Sequence, residues 1–109
     1  MSLGKGLSEH LKQAAKAPHV PARVRSALET WHVASQRFND WFLKVAKVRL
    51  TTEQIIDDVL EQDDACFDAT EVAWLNYQTQ PTPENEAVLL SVLAEWVETD
   101  TRLIQKYGD

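Results

Sequence analysis

Hydrophobic residues in the 109-residue chain recur at steps of three and four through three long stretches, the signature of amphipathic helices. The clearest stretch runs from Pro21 to about Val48. Its seam is Val24, Leu28, Trp31, Ser35, Phe38, Phe42 and Val45, widened by a flanking stripe of Ala27, Ala34, Trp41 and Val48. Pro21 suits a helix start, where its missing N–H costs nothing.

"LTTEQI" opens the next helix. With Thr51 as N-cap, Gln54 completes a capping box, and Leu50 and Ile55 fall where a hydrophobic staple needs them. This helix is expected to reach Gln78, with Ile56, Leu60, Phe67, Trp74 and Tyr77 on its seam and Val59, Cys66, Ala69 and Ala73 alongside. "TQPTPE" ends it and starts another, with Thr82 as N-cap and Pro83 at the first position. Leu89, Leu93, Trp96, Leu103 and Tyr107 form that seam, flanked by Leu90, Val97 and Ile104, and Gly108 is the natural stop.

A short helix is expected earlier, from Ser8 to Ala17, with Leu7, Leu11, Ala14 and Ala15 on its apolar side and "APHVP" breaking it. Residues 1–7 are expected to be flexible. Strand-like alternation and internal repeats are absent from the sequence. The pattern therefore predicts an all-α, antiparallel helical bundle of three long helices plus one short N-terminal helix, forming a single domain over residues 1–109.

Composition narrows this further. Three glycines and four prolines leave little material for tight turns, and four tryptophans supply large core anchors. Cys66 is alone, which excludes an intramolecular disulfide and a multi-cysteine zinc site. Its acidic neighbours would disfavour a thiolate, so a buried, inert thiol is expected. With no apolar run of membrane-spanning length, a cytoplasmic protein is expected. A homodimer is one way to cover aromatic surface that a single chain leaves open.

Charge changes the picture most. The net charge of −6 divides unevenly: residues 1–50 hold nine Lys/Arg against three acids, and residues 51–109 hold two against fourteen. In "EQIIDDVLEQDDACFDATE", helical winding puts Glu53, Asp57, Glu61, Asp64, Asp68 and Glu71 on one face for about 27 Å. Like charges four residues apart cost a helix roughly 0.2–0.5 kcal/mol per pair. Two readings follow. The stripe is a solvated face eased by Arg37 and Lys44 of the preceding helix, or it docks a basic protein partner. Inhibitor, immunity-type or antitoxin-type roles fit the second.

Other chemistry is sparse. Ser35, Asp63 and Asp100 are polar residues on core seams, expected either as a polar layer that fixes register or as a carboxylate site inside the bundle. "ETWH" places Glu29 and His32 as a Glu-x-x-His, but once only, whereas di-metal carboxylate bundles repeat it. "DDVLE" (Asp57, Asp58, Glu61) resembles the first magnesium-binding motif of the all-α nucleotide pyrophosphohydrolases. That resemblance covers five residues and implies Mg²⁺ held by carboxylates for phosphate hydrolysis. The nearest approach to the family's second motif is "EWVE" (Glu95, Glu98), with glutamate where aspartate belongs. A basic arm of Lys12, Lys16, Arg23 and Arg25 offers contact with nucleic acid, opposed by the strongly negative second half. Phosphate loops, nucleophile elbows and calcium loops are missing. The expectation is a non-enzymatic protein-interaction module without cofactor or metal, nucleic acid and membrane not being its partners.

Overall fold

The computed structural model describes residues 6–108. Its four helices are α1 (Gly6–Ala14), α2 (residues 22–49), α3 (residues 52–79) and α4 (Pro83–Tyr107), and no strand occurs among the described residues. α1 starts two residues before Ser8 and stops at Ala14, short of the expected Ala17. Its apolar side is the predicted one, with Leu7, Leu11 and Ala14 buried. The flexible start expected for residues 1–7 falls mostly outside the described residues; Gly6 and Leu7 belong to α1.

The predicted helix boundaries of α3 and α4 have clear local causes. Thr51 Oγ1 accepts the Gln54 N–H at 3.1 Å while Gln54 Oε1 accepts the Thr51 N–H at 2.9 Å, closing the capping box. Thr82 Oγ1 accepts the Asn85 N–H at 3.1 Å, with Pro83 as the first helical residue. At the other end Gly108 adopts φ +86°, a positive φ that side chains resist, and its N–H donates to Ile104 O at 2.8 Å.

α2 and α3 are not regular throughout. Each contains one widened, π-helical turn near their shared connection, at Phe42–Ala46 and at Ile55–Leu60. A π turn takes up more residues per revolution, so residues beyond it lose their phase with the seam. This corrects two sequence expectations. Val48, expected to flank the α2 seam, is 76% exposed, and Ala46 is buried in its stead. Ile56, expected on the α3 seam, is 55% exposed, while Val59 carries the buried position.

Ion pairs and hydrogen bonds fix the helix directions. Arg23 meets Glu86 near the starts of α2 and α4, and the Trp41 indole N–H donates to Gly108 O at 2.8 Å near their ends. α3 runs the other way, with Asp58 beside Tyr107 and Asn76 O accepting from Asn85 Nδ2. α4 lies between, making the close backbone approaches to both α2 and α3.

The core divides in two. A larger cluster gathers Leu7, Leu11, Val24, Leu28, Trp31, Ala73, Trp74, Leu89, Leu93 and Trp96, together with Ala14, Val20 and Tyr77. A smaller one joins Phe38, Trp41, Ala46, Val59, Leu103 and Ile104. Trp31 and Trp96 pack at 5.4 Å between ring centroids, and Phe67 meets Trp96 edge-on at 6.0 Å. All four tryptophans are buried within the single chain, so the exposed apolar residues are aliphatic: Val33, Leu43, Val48, Ile56, Val72 and Val88.

Candidate functional site

α3 carries two populations of carboxylate, separated by helical phase. On its outer face Glu53, Asp57, Glu61, Asp64 and Asp68 are exposed, and Glu71 at the far end is half-buried. Among the described residues, the first five form no ion pair or hydrogen bond through their side chains. Ion pairs form elsewhere, between Lys12 and Glu9, Arg23 and Glu86, Arg102 and Glu98, and Lys106 and Asp58. Beyond the widened turn, Glu61, Asp64 and Asp68 are three and four apart on a regular helix and share one side; Glu53 and Asp57 are exposed before and within that turn. The widened turn at Ile55–Leu60 adds something that periodicity alone did not show. It turns Ile56 out of the core, so an exposed isoleucine sits next in sequence to Asp57 near the start of the stripe.

Lys44 lines a shallow groove with Arg37, Asp40, Trp41 and Val45, all from α2, and makes no ion pair among the described residues.

The inner carboxylates are tied to α4. Asp58 accepts hydrogen bonds from Lys106 Nζ at 2.6 Å, from the Tyr107 hydroxyl and from Gln62 Nε2. The Lys106 and Tyr107 hydrogen bonds hold its carboxyl below the usual carboxylate range. Asp63 accepts from the Trp96 indole N–H at 2.8 Å. Asp100, 3% exposed, shares a hydrogen bond with Asp63, and its Oδ1 has no partner. Burial first, then the bond to Asp63 and the charge of that group, push Asp100 up to about 9. The structure thus brings together the two acids placed on core seams from sequence. Cys66 lies close by; burial pushes its thiol up, opposed by a hydrogen bond with Thr99 and reinforced by the nearby acids. It is therefore a poor nucleophile.

The hydrolase motif does not assemble. Asp58 is committed to Lys106 and Tyr107, whereas Asp57 and Glu61 point to the outer face and Glu98 is exposed beside Arg102 at 3.8 Å. Among the described residues, no group of three or more His, Cys, Asp or Glu side chains is placed to hold a metal ion. Glu29 and His32 line a groove against α1 with Lys12 and Lys16, not a carboxylate centre. The basic arm is partly spent inside the fold: Arg23 is bound to the buried Glu86, with Nη2 to Oε2 at 2.9 Å, and Lys12 pairs with Glu9. Arg25 is half-buried with its Nε unpartnered.

Two residues escaped sequence reasoning. Asp58 stands out in the sequence only as a member of the "DDVLE" resemblance, yet it ties α3 to the end of α4. Glu86 carries no mark in the sequence beyond its place in the first turn of α4, yet it anchors α2 through Arg23. Both partners lie far away in sequence, and helical periodicity carries no signal of which distant side chains meet. Among the described residues no helix is long and apolar enough to cross a membrane. No family model, curated protein or solved structure matches this chain.

Proposed function

We propose that this chain is a non-enzymatic protein–protein interaction module, built as an antiparallel bundle of three long helices and one short one, which docks a basic protein through the outer face of α3. The observation that carries this reading is the row Glu53, Asp57, Glu61, Asp64 and Asp68, exposed and without ion partners among the described residues, continued by Glu71. Five unneutralised carboxylates along one helix raise the local potential and speed encounter with a cationic surface. Ile56 and Val72, exposed on the same helix, supply apolar contact that charge alone lacks. A cytoplasmic inhibitor, immunity-type or antitoxin-type protein fits this surface, and its target is a basic protein.

The test replaces Asp57, Glu61, Asp64 and Asp68 together by lysine. The expected result is loss of partner capture from the native host at unchanged helical content, with wild-type capture falling as salt screens the surface. Equal capture by both chains removes the stripe from the function. A captured partner that is acidic, or whose binding ignores salt, removes the electrostatic mechanism.

A further inference from the structure

Where the two core clusters meet, each long helix places a polar residue. Ser35 lies between Trp31 and Phe38, Asp63 between Val59 and Phe67, and Asp100 between Trp96 and Leu103. We propose that the Asp63–Asp100 carboxyl pair is a proton-held latch: while one proton is shared it ties α3 to α4 at this boundary, and loss of that proton lets the half of the bundle around Phe38, Trp41, Val59 and Leu103 open ahead of the other half. The inference goes beyond the docking reading and does not rest on it.

A hydrogen bond between two carboxyl groups requires a proton on one of them. Asp63 Oδ1 already accepts the Trp96 indole N–H at 2.8 Å, and Asp100 is the more deeply buried of the two, where a charge is costlier, so Asp100 is the acid that donates. Ionised, Asp100 would hold its charge almost out of water, with no donor on Oδ1 and a carboxylate opposite. Its surroundings offer no relief. Asp63 and Cys66 approach from α3, and among the described residues no cation acts on Asp100 from any helix packed around it; Glu95 of α4 is exposed and acts on Cys66, and on α2 the seam position between the two clusters is the non-titrating Ser35. The upward shift of Asp100 to about 9 agrees with that geometry.

Which half opens follows from burial. The cluster on one side of the pair has thirteen buried apolar residues and the other has six, so the smaller one has less to lose. Opening hydrates Asp100, which then titrates like an ordinary aspartate and releases its proton to solvent.

The experiment is native-state hydrogen exchange on the full chain between about pH 6 and about pH 8. Release of one proton on opening makes the opening constant rise about tenfold per pH unit, beyond the intrinsic exchange rate. That rise is expected for amides of residues 56–62 and 101–106, in openings roughly tenfold or more populated than those exposing residues 24–31 and 89–96. A flat opening constant, or one constant shared by both halves, overturns the latch. Asp100→Asn, which keeps a hydrogen-bond donor for Asp63, should abolish the slope; a retained slope overturns it. Carboxyl-carbon NMR on the unmodified chain decides independently of how that variant folds. One of the two carboxyls is expected to titrate in the alkaline range, and two ordinary carboxylate titrations overturn the proposal.

Discussion

Around Trp31 and Leu93 the bundle is closed by buried side chains from all four helices. Around Trp41 and Leu103 a smaller cluster is supplemented by polar ties: Asp58 to Lys106 and Tyr107, and the Trp41 indole to Gly108. The difference teaches where each half is vulnerable. Apolar burial responds to volume and temperature and is indifferent to protons, whereas the Asp58 tie responds to pH and its ion pair weakens in salt. Both widened turns, and the start of the acidic stripe, belong to the second region.

Truncation in the large cluster should have the greatest effect. Leu93→Ala removes a fully buried side chain between α2 and α3 and is expected to cost about 2–5 kcal/mol by chemical denaturation. A loss under about 1 kcal/mol would mean this half is less tightly packed than its burial implies.

Asp58→Ala should cost less, about 1–2 kcal/mol, because Lys106 remains solvated. The depressed pKa gives this tie a definite pH sense. Its stabilisation is complete above the ordinary carboxylate range and is lost as pH falls through the lowered folded value, near and below about pH 4. Asp100 works in the opposite direction. Its raised pKa means the folded chain holds a proton that the unfolded chain has released, so stability falls as pH climbs from about 4 towards about 9. Denaturation midpoints measured across that range should decline in the wild type. They should decline less in Asp100→Asn; equal declines would place the pH dependence elsewhere.

Thr51→Ala removes the capping-box oxygen at the start of α3 and should cost about 1 kcal/mol, read from thermal melts. The smallest effect belongs to the stripe. Glu61→Gln relieves repulsion with Asp57 and Asp64 and should stabilise by roughly 0.2–0.5 kcal/mol per neighbour at low salt, with the gain shrinking as salt is added. A loss of stability would show that Glu61 does structural work after all.

Much of this was legible in the sequence because it is local. Caps at Thr51 and Thr82, the stop at Gly108 and the seam of α4 depend on residues three and four apart, and they appear as read. Ser35, Asp63 and Asp100 were legible as polar residues on apolar seams, though not as occupants of one level between two clusters. The widened turns were not legible. Their apolar spacing fits a regular helix equally well, and what selects the wider turn is packing that brings Trp41 with Ala46, and Val59 with Leu103, into one cluster. That choice exchanged Ile56 for Val59 and put Val48 into solvent. Asp58 was misread for a related reason: the tie to Tyr107 spans most of the second half of the chain, beyond the reach of any local pattern.

The position of α4 between α2 and α3 also sets an order of events during synthesis. The first three helices leave the ribosome with their apolar faces prepared but without the helix that both long ones pack against. Until the segment from Pro83 onward arrives, Trp31 has no Trp96 to stack on and Val59 has no Leu103. The nascent chain therefore carries exposed aromatic surface until that segment emerges, and cooperative closure waits for it.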